Sequence, residues 1–185
     1  RLLAEKNGDT ISTAANTKFT DIPAHAWYSG YVKYLSNNGI TYGKSKTVFA
    51  PNDAITRAEF TTMAVRFFDV YGDGDAEIME QFSGFNDVSS GYWAAEYIKY
   101  AALHGWINGY GDGSFHADRE INRAEVVTIV NRLLGREADE DYIADNLRKL
   151  NTFPDVTKRH WAYYAVMEAA NAHTAVLGES ESWSK

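Results

Sequence analysis

Arg57 and Arg123 are the residues whose type and setting most suggest chemistry. Each sits in one of two related strings, Ile55-Thr56-Arg57-Ala58-Glu59 and Ile121-Asn122-Arg123-Ala124-Glu125. Thr56 and Asn122 are N-cap residues by type, and Thr56 with Glu59 has the form of a capping box. The apolar residues that follow, Phe60, Met63, Ala64 and Phe67 in one string and Val126, Ile129, Val130 and Leu133 in the other, fall on one helical face. Both arginines thus take the first helical position, where the macrodipole disfavours a cation by roughly 0.3–1 kcal/mol. A guanidinium beside free helix amides can instead converge with them on one carboxylate or phosphate. Two readings stay open: an arginine kept for an acidic ligand, or one that is solvated or pairs with a nearby acid.

Other chemical signals are thinner. Gly43-Lys44-Ser45 has the end of a phosphate-binding loop, but position 38 is Asn where that motif needs Gly, and the preceding strand is missing. Asp73, Asp75 and Glu77 alternate like calcium ligands without the rest of an EF-hand loop, which favours a solvated connector. The five histidines form no close ligand pair, so no metal and no cofactor is expected. A glycosidase would need two distinct carboxylates, whereas Glu59 and Glu125 recur in equivalent places and already have a capping role.

The elements that must position these residues are repeated. Phe19-Thr20-Asp21-Ile22, Phe85-Asn86-Asp87-Val88 and Phe153-Pro154-Asp155-Val156 each precede a tryptophan, Trp27, Trp93 or Trp161, eight residues after the Phe. The Phe residues are 66 and 68 positions apart, and in the first two copies Gly39 and Gly105, Gly43 and Gly109, and Phe49 and Phe115 keep register. Each copy reads as helix, Gly-rich loop, helix, with Gly39 and Gly105 ending the first helix in the left-handed conformation. Arg1-Leu2-Leu3 matches Arg132-Leu133-Leu134, so the chain is expected to open on the tail of a preceding copy. The expected organisation is therefore a tail and linker at 1–18, a repeat at 19–70, a linker at 71–84, a repeat at 85–135, a linker at 136–152 and a partial repeat at 153–185. The linker at 136–152 has partly helical pattern through Tyr142, Ile143 and Leu147. The last copy has His173 in place of the glycine and no Arg-Ala-Glu string.

The totals set limits. A chain of 185 residues, 45% of them hydrophobic, can form one substantial core or several small ones. Its net charge of -7 argues against a nucleic-acid or anionic-membrane partner. No apolar run approaches a membrane span, and the lack of cysteine excludes disulfides and thiolate metal sites while suiting an exported protein.

The Phe-x-Asp and Trp openings, the Gly109-Tyr110-Gly111-Asp112-Gly113-Ser114-Phe115 loop and the Arg-Ala-Glu helix, in that order over residues 19 to 178, resemble the S-layer homology repeats of bacterial cell-surface proteins. The resemblance implies an all-α module whose tandem helix-loop-helix repeats form a pseudo-threefold, three-pronged spindle around a central helical bundle. It implies noncovalent anchoring of a larger surface protein to the bacterial cell wall and no catalysis. The implied partner is a secondary cell-wall polysaccharide ending in pyruvylated N-acetylmannosamine, held in grooves between repeats. Carried over by position, the ligand set is Arg57, Arg123, Gly43, Gly109, Asp21, Asp87, Trp27, Trp93 and Trp161. Each tryptophan packs a sugar face or anchors the core, and Asp21 and Asp87 contact ligand or cap the first helix. Copy one departs from the pattern at Gly43-Lys44-Ser45-Lys46-Thr47-Val48-Phe49, and copy three lacks the arginine. A self-assembly or protein-protein module is the alternative, favoured by the 14% aromatic content.

Overall fold

A computed structural model describes residues 2–71, 84–176 and 182–184; Asp73, Asp75 and Glu77 lie outside them. The described chain is helical, in the order α1 (Leu2–Asn7), α2 (Ser29–Asn37), α3 (Arg57–Tyr71), α4 (Ala95–Leu103), α5 (Arg123–Leu133), α6 (Glu140–Asn146) and α7 (Tyr163–Ala170). A 3-10 turn at Leu147–Lys149 follows α6, in the connector where helical pattern is predicted. One two-stranded antiparallel ladder, β1 (Thr174–Val176) with β2 (Ser182–Ser184), is the single addition to an all-α architecture among the described residues.

Local chemistry sets the helix ends. Asn122 Oδ1 accepts from the Glu125 amide at 3.0 Å while Glu125 Oε2 accepts from the Asn122 amide at 3.0 Å, so the capping box also exists in the second copy. Thr56 and Glu59 form the same reciprocal pair at 2.9 and 3.2 Å. At the other end of α2 and α4, Gly39 and Gly105 take φ of 73° and 70°. That left-handed turn lets the Ile40 amide reach Leu35 O and the Trp106 amide reach Ala101 O, each at 2.9 Å, which uses otherwise orphaned carbonyls.

The helices pack in a stagger: the second helix of one copy lies against the first helix of the next, α3 on α4 and α5 on α7, while α3 also meets α5. The main core follows from this. Ala58, Ala64 and Val65 of α3 are buried with Ala94, Ile98, Ala101, Trp106, Ile107 and Phe115 of the second copy. Smaller cores form around Phe19, Ile22 and Val32, and around Ile143, Tyr163, Met167 and Trp183. At the last of these, Asp139 caps α6 and its other oxygen accepts from the Trp183 amide at 3.0 Å. The His173 ring stacks on Trp183 at 3.9 Å, so the histidine that replaces the helix-ending glycine joins the C-terminal ladder to the core.

Asp21 and Asp87 do not make the helix cap expected of them. Each reaches 28 residues forward to the loop that precedes the second helix. Asp21 accepts from the amides of Phe49 and Ala50 at 2.9 and 2.7 Å, and Asp87 from those of Phe115 and His116, both at 2.7 Å. They staple the opening of a copy to the loop before its second helix and do not cap α2 or α4. The Phe49 and Ala50 amides hold Asp21 below its ordinary value of 3.8. At Asp87 partial burial pushes the carboxyl up, and the Phe115 and His116 amides more than reverse it. A carboxyl depressed in the folded state contributes stability above its unfolded pKa and loses it as pH falls through the folded one. The protein is therefore expected to lose stability as pH drops below about 4, and the Asp21→Asn/Asp87→Asn double variant to show a flatter decline. Urea midpoints measured at intervals from pH 6 to about pH 2 check this.

Candidate functional site

Two grooves open beside the loops, at equivalent places in the two complete copies. The lower one has a volume of about 500 Å³ and lies between the second copy and the start of the third. Its walls are the Asn108-Gly109-Tyr110 turn, the α5 face carrying Glu125, Thr128 and Arg132, and Trp161. The upper one, about 390 Å³, is lined by Tyr42, Gly43 and Lys44, by Glu59, Thr62 and Arg66 of α3, and by Trp93. Both volumes are those of a small-molecule site.

Gly43 and Gly109 belong to these walls for a packing reason. A Cβ at Gly109 would lie 2.4 Å from the Phe85 ring and 2.6 Å from Ser114 O; at Gly43 it would lie 2.5 Å from Phe19 and 2.6 Å from Val48 O. The loop can fold back over its own Phe only with glycine there. Trp93 and Trp161 are 56% and 64% exposed, which shows that these indoles are groove walls and not core anchors. Trp27 is 76% exposed and lines neither groove.

The arginines differ most from expectation. Arg57 is buried, and each nitrogen of its guanidinium is engaged: Nε donates to Phe115 O at 2.8 Å, Nη2 to Asn108 O at 3.1 Å and Nη1 to Glu125 Oε1 at 2.8 Å. Its Cζ lies 4.4 Å from the centre of the Phe115 ring. The helix-start amides beside it are used as well, since the Arg57 amide donates to Arg119 O and the Ala58 amide to Ala117 O, each at 2.9 Å. Arg57 thus reaches the edge of the lower groove as a bolt between copies, and no free amides stand beside it. Arg123 is exposed and lines neither groove. Its equivalent bolt would need a loop in the third copy that the sequence does not repeat. At Arg57 the expected pairing of a guanidinium with open helix amides on a single ligand acid is therefore not what the fold builds.

Other cations face the grooves instead. Arg132 and Arg66, each nine residues after the repeated arginine, line the lower and upper groove respectively. With its amide turned to donate to Ile107 O, Asn108 accepts from Arg132 Nη1 at 3.2 Å. Arg66 lies over Tyr42 and Tyr97, at 4.8 and 5.0 Å from the ring centres. Arg119 joins the lower groove, bonding Glu125 Oε1 and donating to the Tyr110 hydroxyl at 2.6 Å. The shared offset of Arg66 and Arg132 is the signal that could have found them; Arg119 has no counterpart in copy one, where Asp53 stands.

Comparison with known proteins accords with this repeated geometry. The S-layer homology domain model matches residues 18–61 and 84–127, the segments that hold the stapling aspartate, the loop and the start of the bolted helix. The chain carries S-layer homology domains. It is similar to cell surface glycoprotein 1 of Acetivibrio thermocellus, at 31% identity over 94% of this chain and 7% of the relative. The cellulosome-anchoring protein of the same organism is 29% identical over 93% of this chain and 37% of its own length. An amylopullulanase of Thermoanaerobacterium thermosulfurigenes is 32% identical over 82% of this chain and 8% of its own. The chain thus spans well under half of these relatives. Its S-layer homology domains mark it as extracellular and associated with the cell wall. Among the described residues no helix is long and apolar enough to cross a membrane.

The bolt gives a prediction. Arg57→Ala leaves the Phe115 and Asn108 carbonyls without their donor and takes from Glu125 its buried partner, and is expected to cost about 3 kcal/mol of stability. Arg57→Lys should recover less than half, because one ammonium cannot span three acceptors set out for a planar fork. Chemical denaturation of the three proteins at one pH decides it.

Proposed function

We propose that the chain anchors a larger surface protein to the bacterial cell wall noncovalently, by binding the acidic end of a secondary cell-wall polysaccharide in its inter-repeat grooves. One observation carries this reading: on a chain of net charge -7, the lower groove gathers Arg57, Arg119 and Arg132 against a single carboxylate, beside an exposed indole. A pyruvate ketal on N-acetylmannosamine offers what such a wall takes, a carboxylate for the guanidiniums and an apolar sugar face for Trp161. Thr128 and the Gly109 backbone supply neutral hydrogen bonds to hydroxyls. The similarity to a cellulosome-anchoring protein supports the anchoring half of the proposal.

The same geometry speaks against glycan hydrolysis. Glu125 Oε2 is taken by the cap amide and Oε1 by Arg57, Arg119 and Tyr110, so neither oxygen is left to act as acid or base. Glu59 is held in the same way by its cap and by Lys44 Nζ at 2.5 Å. The grooves recognise; they do not cut.

The test is binding to purified wall polysaccharide before and after chemical removal of pyruvate. Arg132→Ala and Trp161→Ala are each expected to weaken binding to the intact glycan by about 1.5–3 kcal/mol, the range for a hydrogen bond to a charged group or a stacked ring. Arg123→Ala should leave it unchanged. Equal binding to the treated glycan, or a loss confined to Arg123→Ala, sinks the proposal.

A further inference from the structure

The two grooves share a plan and differ in charge, and the difference comes down to one position. Four residues before the repeated arginine, copy one has Asp53 and copy two has Arg119, and both line their grooves. The upper groove therefore holds Lys44 and Arg66 against Glu59 and Asp53, two cations against two carboxylates. The lower groove holds three guanidiniums against Glu125 alone. We infer that Arg119 and Asp53 set which groove accepts an acidic glycan, making the lower groove the acid-selective site and the upper groove one for a neutral stretch of sugar. This rests on the glycan-binding reading above and goes beyond it by dividing the two grooves.

The local geometry shows why Arg119 decides. Glu125 already has a buried partner in Arg57, whose side chain is 7% exposed, so its charge is spent inside the fold. Arg119, with a side chain 39% exposed, bonds the same oxygen from the solvent side and adds a positive charge that nothing else in the groove offsets. Tyr110 fixes its direction, accepting a hydrogen bond from Nη2, with the Arg119 Cζ 5.8 Å from its ring centre. In the upper groove Lys44 stands at the place of Tyr110 and is consumed by Glu59 at 2.5 Å. Arg66 donates to the Tyr97 hydroxyl and lies against two rings, and exposed Asp53 faces any incoming acid as a repulsive element. Selectivity is a difference between affinities, and a like charge placed against the unwanted ligand contributes as much as an opposite charge for the wanted one.

Calorimetry on the whole chain tests this with two matched probes, a pyruvylated wall-polysaccharide fragment and the same fragment with pyruvate removed. The parent is expected to bind the pyruvylated probe at one strong site. Arg119→Asp should cut affinity for that probe by about tenfold or more while changing affinity for the neutral probe by less than about threefold. Arg119→Gln, which removes charge without reversing it, should fall between them. Asp53→Arg should add a second strong site for the pyruvylated probe, doubling the stoichiometry. Should Arg119→Asp and Arg119→Gln keep the parent's acid preference, or Asp53→Arg leave the stoichiometry unchanged, the division of the grooves is wrong while glycan binding stands. A parent that binds neither probe overturns the glycan-binding reading, and this inference with it.

Discussion

The structure depends on one buried ion pair between successive copies, Arg57 to Glu125. No described helix exceeds 15 residues, and the chain has no cysteine, so no single copy has a large core or a covalent staple of its own. Stability has to come from docking the second helix of one copy onto the next. Arg57 ties that docking to one register, because its three acceptors come from three places, the Asn108 segment, the Phe115 loop and the α5 cap. The backbone agrees with it: Thr56 bridges Glu120, and the Ile121 amide donates to Ile55 O at 3.0 Å. A buried charge pair of this kind contributes little net stability against an apolar pair, and leaving half of it unpaired is costly, so a register that parts Arg57 from Glu125 is penalised.

The same pair shapes the groove. Glu125 caps α5 with one oxygen and takes Arg57, Arg119 and Tyr110 with the other, which brings a helix start, an inter-copy contact and a groove wall to one carboxylate. The groove walls are thereby tied to the helix packing: Arg132 projects from α5, Trp161 from the turn into α7, and α5 packs along α7 with Asn131 donating to Ala165 O at 2.9 Å. Walls supported in this way have less side-chain freedom to lose to a ligand, which suits the proposed anchoring role.

Much of the fold was legible in the sequence because its signals are local. Caps, helix-ending glycines and apolar faces act within a few residues, and repetition doubled each of them. Long-range partners were not legible. Nothing in the spacing of Arg57 says that it reaches Phe115 O, 58 residues on, nor in Asp21 that it staples the Phe49 loop. The tryptophans were ambiguous for a related reason, since an aromatic residue at a repeat opening serves equally as core or as wall, and only packing decides. The repeated arginine drew attention by its odd place on the helix dipole, while the ordinary-looking Arg66 and Arg132, in the last turns of their helices or near them, turned out to face the grooves.

Five tryptophans give the groove account a direct readout, since their indole N–H signals are resolvable by nitrogen-15 NMR and report separately on Trp27, Trp93, Trp106, Trp161 and Trp183. Titration with a synthetic pyruvylated N-acetylmannosamine is predicted to move the Trp161 signal first and furthest, with Trp27 and Trp183 unmoved. A still Trp161 signal while another indole shifts would contradict the account.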